Sequence, residues 1–266
     1  MAEGYWMIRT YEAGNVGEKT KYWVPGARPS RSERKLRSEA KKQEQNEHSA
    51  TKRMARIINE NYVPGDWLLG LDYSEEGLAR IVAWAREKGM DPDHADETEL
   101  LDIQRVAAEH ALRNCLRRVK RDLPDGLELR VLAITSDMDG KTGEVVRVHH
   151  HLVVPKDCRE AFVRKWQELG WGSVDWEPLS SQDDYTPIAE YFADQVRKVP
   201  DAKKYITTRN MVRPVPKDRA ALTAGELRVP AGAKLLHRSE FKPGRPQYIR
   251  YVLPEGKKRR AERKNC

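Results

Sequence analysis

Cysteine is scarce: Cys115, Cys158 and Cys266 are the only three, far apart, and none forms a Cys-x-x-Cys pair. An odd, scattered set argues against a disulfide framework or a zinc ribbon and fits a reducing compartment, so a cytoplasmic location is expected. No apolar run approaches the ~20 residues needed to span a bilayer. Nor does the N-terminus carry the apolar stretch of a signal peptide, so no membrane partner is expected. There is no Gly-x-x-x-x-Gly-Lys-Ser/Thr phosphate loop, which argues against a fused helicase, and no internal repeat. Negative charge is also in deficit. Lys and Arg number 49 against 41 Asp and Glu, giving a formal charge of +8. Such a surplus favours an anionic partner, of which nucleic acid is the commonest.

What is present is 266 residues, 39% of them hydrophobic and 34% charged. That suffices for one large domain, or for one domain with substantial arms. Residues 1–56 read as a basic N-terminal extension. Tyr5, Trp6, Ile8 and Tyr11 suit a short strand or docking arm, Gly14 to Pro29 interrupt regular structure, and Arg28 to Arg56 form a solvated helix or basic arm. Residues 57–215 read as the compact part. Residues 216–266 are rich in proline and end in a basic tail, and they read as an extended covering segment rather than a second domain.

Within the compact part, Asp66–Tyr73 is an apolar strand and Ser74 with Glu75 and Glu76 opens a helix that ends near Gly89. A longer helix runs from about Glu97 to Arg121 with Leu101, Ala108, Leu112, Cys115, Leu116 and Val119 in one stripe. Arg117 and Arg118 lie in its last turns, where cations suit the helix dipole but could equally face phosphate. Residues 127–154 form a β-hairpin. A helix, a short strand near Val174 and a further helix opened by Thr186-Pro187 follow. The order predicts an α+β fold, an antiparallel central sheet with packed helices.

The return strand of the hairpin, Arg147-Val148-His149-His150-His151-Leu152-Val153-Val154, carries the chemistry. Side chains alternate along a strand, so His149 and His151 project from one face and His150 from the other, with Val148 and Leu152. Two imidazoles on one face make half a metal site, and a nearby carboxylate would tilt the choice towards Mn2+ or Mg2+. The strand before the histidines ends at Asp137, the candidate third ligand, with Asp72 on a different strand as the second choice. The alternative is a trio of inert, hydrogen-bonded core histidines.

These residues resemble the His-hydrophobic-His motif of the HUH endonucleases, and more closely the rolling-circle replication initiators of phages and small plasmids. Over roughly residues 52–215, Gly65–Tyr73 is similar to the family's first motif and Arg147–Val154 to its histidine motif. Ile188-Ala189-Glu190-Tyr191-Phe192 is similar to its tyrosine helix, and Thr208-Arg209-Asn210-Met211 with Pro214 to a later segment. The resemblance implies a ferredoxin-like palm with the metal on one sheet face and the nucleophile Tyr191 on a helix above it. It implies metal-assisted transesterification that nicks and rejoins a single-stranded or hairpin DNA origin, with host replication proteins as further partners. Arg147, Arg209, Arg117 and Arg118 become candidate phosphate contacts, and Tyr185 a reserve nucleophile. Three departures stand out. Asp194 occupies the position of the family's lysine after the tyrosine, for which Lys198 on the same helix face is the substitute. Ser136 and Asp137 stand where the family often has Glu, and His150 replaces an apolar residue. A binder of single-stranded nucleic acid that does not cleave is the competing expectation.

Overall fold

Two separate sets of strands build two sheets. The computed structural model describes residues 4–26, 39–180, 183–196, 204–221 and 225–254, and among them the chain is α+β with two antiparallel five-stranded sheets and five α-helices. It divides into two units. The first takes the described parts of Met1–Asn61, Asp183–Pro187 and Val212–Arg263, and the second those of Tyr62–Gln182 and Ile188–Met211.

In the second unit the expected strand is β3 (Trp67–Asp72) and the expected hairpin is β4 (Leu132–Met138) with β5 (Val145–Val154). With β6 (Val174–Pro178) and the short β7 (Ile206–Thr207) the sheet order is β6-β3-β5-β4-β7. The helices are α2 (Glu75–Glu87), which begins at the start signalled by Ser74, α3 (Glu97–Asp122), close to its expected bounds, and α4 (Arg159–Glu168). Ser74 caps α2 by accepting from the Gly77 amide at 3.0 Å, and Asp96 with Glu99 forms a capping box on α3. Such caps satisfy amides that a helix start leaves without a partner. The predicted α3 stripe is the buried one: Ala108, Leu112, Cys115 and Val119 are all fully buried. They pack with Leu69, Leu71, Ala133, Val148, Leu152, Phe162 and Trp166 in one core, so α2, α3 and α4 cover the sheet face that also carries His150.

The first unit corrects the expectation for both ends of the chain. Where 1–56 and 216–266 read as extensions, they supply β1 (Tyr5–Ala13), β2 (Val16–Val24), α1 (Glu39–Asn61), β8 (Lys217–Ala220), β9 (Lys234–Arg238) and β10 (Gln247–Val252). The strands form one antiparallel sheet, β8-β1-β2-β10-β9, closed by pairing between residues more than 200 positions apart. Charged residues on a half-solvated sheet hide its alternation from composition. Gly14, at φ +54, makes the tight β1–β2 turn, and a Cβ there would collide with the Asn59 carbonyl oxygen. The basic tail lies outside the described residues. Among the described residues, no helix is long and apolar enough to cross a membrane.

Candidate functional site

The site forms on the face of the second unit's sheet opposite α2, α3 and α4. Alternation along β5 sends His150 into the core, where it is fully buried. Its Nδ1 is 3.0 Å from the Thr135 hydroxyl and its Nε2 2.9 Å from the Tyr73 hydroxyl. Burial, aided by repulsion from His149 and His151, pushes its pKa down to about 3. His150 is therefore the inert, satisfied core histidine of the three.

His149 and His151 stand on the other face. The Nδ1 of His149 is 2.9 Å from the Arg147 carbonyl oxygen. A carbonyl can only accept, so Nδ1 carries the proton and Nε2 offers its lone pair to the site. The two Nε2 atoms are 3.1 Å apart, with the rings at 89°. That separation suits a hydrogen bond in which His151 donates, and it equally suits two ligands of one cation: nitrogens about 2.1 Å from a shared metal at right angles lie roughly 3 Å apart. Burial, then the neighbouring His149, lowers the pKa of His151 to about 4, leaving it neutral at pH 7. Neutral imidazole is the form that binds metal.

Pairing register selects between the two carboxylate candidates. Asp72 on β3 is directly opposite His149, and Gly70 directly opposite His151, so Asp72 projects on the histidine side. Asp137 falls where the β4–β5 register shifts, and its carboxylate is fully buried, 3.7 Å from Arg105 on α3. The carboxylate expected first as a ligand therefore interacts with the helical layer, and the second choice shares the histidine face. Register also brings two residues that sequence reading missed: Asp175 opposite Gly70 and Glu177 opposite Leu68, both on β6. A Cβ on Gly70 would sit 3.8 Å from the Asp175 Cβ, so the glycine leaves space between His151 and that carboxylate. No group of three or more His, Cys, Asp or Glu side chains placed to hold a metal occurs among the described residues. Two imidazole Nε2 atoms, one with its tautomer fixed, thus share a sheet face with Asp72.

Above this face runs α5 (Thr186–Asp194), whose residues from Ile188 onward belong to the second unit. The helix begins at Thr186, one residue before the Pro187 start that the sequence suggests, and the Asp184 carboxylate accepts from the Thr186 amide at 2.9 Å. Phe192 is buried against the His151 ring, and Tyr191 is 38% exposed with its ring edge-on to His151. The Tyr191 hydroxyl lies 3.5 Å from His151 Nε2. In the amide orientation that satisfies both of its ends, the buried Gln195, one turn on, accepts through its side-chain oxygen from the Tyr191 hydroxyl at 3.2 Å and from the Gly140 amide at 3.3 Å. Its own carbonyl accepts from the buried Ser136 hydroxyl. Burial, then the charges of Glu177 and Asp139, raises the Tyr191 pKa.

The remaining candidates disperse. Arg147 shares the histidine face and donates to the Tyr73 carbonyl at 3.1 Å. Arg209 is exposed just after the edge strand β7. Arg117 and Arg118 are exposed on α3, which packs on the sheet face opposite the histidine pair. Lys198 lies outside the described residues. Tyr185 is buried in the first unit, its amide donating to the Asn59 side-chain oxygen at 2.8 Å. Burial in the other unit takes away the accessibility that a reserve nucleophile needs. Comparison of the chain with family models, curated proteins and solved structures finds no match.

Proposed function

We propose that the second unit is an HUH-type nicking and joining site that cuts single-stranded origin DNA and starts rolling-circle replication. The supporting observation is the line of three groups: the Tyr191 hydroxyl 3.5 Å from His151 Nε2, and that nitrogen 3.1 Å from His149 Nε2. His149 and His151, with Asp72, would hold a divalent cation, Mn2+ or Mg2+. A bound cation supplies Lewis-acid polarisation of the scissile phosphate.

The chain's own residues do the rest. The Arg147 carbonyl fixes the His149 tautomer, and Phe192 buttresses His151. Gln195 orients the Tyr191 hydroxyl towards the histidine face. The tyrosine oxygen attacks phosphorus as its proton departs, the bond to the 3′ oxygen breaks, that oxygen takes up a proton, and the products are a 5′-phosphotyrosine and a 3′ hydroxyl. Reversal of the step rejoins the strand. Tyr191 must lose its proton during attack, and its raised pKa keeps it protonated until then.

One feature favours a second reading, a binder that does not cleave: Asp194, exposed, stands where the resembled family has lysine. A denaturing gel separates the two. Protein is mixed with labelled single-stranded DNA carrying candidate origins, with Mn2+ or chelator. The expected result is a metal-dependent covalent band, retained in Tyr185→Phe and lost in Tyr191→Phe. Binding without a band, unchanged by His149→Ala, supports the second reading.

A further inference from the structure

The sheet of the first unit has two unlike faces. Helix α1 covers one: the Arg56 guanidinium stacks 3.5 Å from the Tyr11 ring centre and pairs with Glu18 at 2.7 Å, and the Lys52 ammonium lies 3.8 Å from the Tyr248 ring centre. The other face is different in kind. Pairing aligns Lys217, Thr10 and Lys19 across β8, β1 and β2, and aligns Arg219, Ile8 and Lys21 in the next row on the same face. The row beyond places Trp6 opposite Trp23, ring centres 5.5 Å apart. Part of this face is closed by Leu227, which packs with Ile8, Ile249 and Tyr251. The strip left open holds Lys217, Arg219 and Trp23, all exposed, with Lys19 and Trp6 half-buried beside them.

The charges on this strip are poorly balanced. Lys217 reaches Glu12 at 3.4 Å, but Arg219 makes no ion pair among the described residues. Lys19 gives a hydrogen bond to the Arg228 carbonyl at 3.0 Å, and burial together with the Arg219 charge lowers its pKa. Three cations with one carboxylate beside them, Glu12, leave the strip positive, which favours an anionic partner. Beside them is a tryptophan that is 47% exposed, and indole in contact with water at the end of a basic strip suits an unstacked base. A duplex hides its base faces, so the combination favours a single strand.

We infer that this face of the first unit is a second nucleic-acid surface, which holds single-stranded DNA with Lys19, Lys217 and Arg219 on the phosphates and Trp23 and Trp6 against bases. The surface works independently of the chemistry proposed for Tyr191.

The test uses the full chain carrying Tyr191→Phe, in chelator, so that no cleavage intervenes. A fluorescein-labelled 20-nucleotide oligothymidine is titrated and its anisotropy followed at several salt concentrations. Trp23→Ala, at an exposed position, is expected to weaken binding about tenfold, within the range for losing one stacked base. Lys217→Ala with Arg219→Ala is expected to weaken it further and to flatten the plot of log affinity against log salt by about 1.4, the value for two phosphate contacts on a single strand. Circular dichroism melts of both variants check that the fold is retained. Affinities within twofold of the parent for both variants overturn the inference. So does equal binding to duplex that Trp23→Ala leaves unchanged, or stronger binding to phosphatidylserine vesicles lost in the same variants. Restoring Tyr191 changes none of these outcomes, so a failed nicking reaction and a failed binding surface are told apart.

Discussion

Asp72 on β3 stands directly opposite His149 on β5, on the same face of the sheet, with the His149 Nε2 turned outward by the hydrogen bond from Nδ1 to the Arg147 carbonyl. Asp137, one strand over, is 3.7 Å from Arg105 instead. The two carboxylates are therefore expected to respond oppositely to substitution.

Asp72→Ala should remove most of the stabilisation by Mn2+ while leaving the metal-free melting temperature nearly unchanged. Asp137→Ala should cost about 3 kcal/mol of stability, because it strands a mostly buried guanidinium, and should leave the metal-induced shift in place. Differential scanning fluorimetry with and without Mn2+ reads both. A metal shift lost in Asp137→Ala and kept in Asp72→Ala would reverse the assignment.

Saturating Mn2+ should raise the melting temperature of the wild type by several degrees, since a ligand at 100 times its Kd adds about 2.7 kcal/mol. His149→Ala and His151→Ala should each abolish that shift. His150→Ala should behave differently. It should lower the melting temperature with or without metal, by the roughly 2–4 kcal/mol expected when a buried, hydrogen-bonded side chain is truncated. Isothermal calorimetry with Mn2+ checks the division of labour among the three.

His150 also sets a pH dependence. Its pKa is about 3 in the fold and near 6.5 in the unfolded chain, so the unfolded state binds more protons between those values. The stability it contributes is fully present above about pH 6.5 and is lost as pH falls towards 3, at up to roughly 1.4 kcal/mol per pH unit. Urea midpoints measured from pH 7 to pH 4 should fall more steeply in wild type than in His150→Leu. Parallel curves would show that His150 is not held neutral.

Gly70 tests the open space beside His151. Its φ is not in the left-handed region and an added Cβ meets only the Asp175 Cβ, at 3.8 Å. Gly70→Ala should therefore change stability by less than about 1 kcal/mol. Gly70→Leu should fold yet lose both the metal shift and the covalent product, because the longer side chain fills the space between His151 and Asp175. Retained activity in Gly70→Leu would move the reacting phosphate elsewhere.

Most helices and strands of the second unit were legible because they rest on local signals. Ser74 is a cap, Leu112, Cys115 and Val119 make a stripe, and strand alternation alone separates His150 from His149 and His151. A tyrosine helix above the histidine face was an implication of the resemblance alone, since periodicity gives only a half-exposed aromatic on an amphipathic helix. Gln195 was missed because a glutamine one turn beyond a tyrosine carries no signal until both side chains are seen to meet.

By itself the sequence determined the α+β class, the two-faced histidine strand and the basic charge balance, all of which depend on spacing or composition. Tertiary structure alone decided that Asp72 rather than Asp137 shares the histidine face, that Asp175 and Glu177 join it, and that the two ends of the chain build one sheet. Each of these depends on register between strands distant in sequence. A one-residue slip in register sends every side chain of a strand to the opposite face, so no local pattern can fix it.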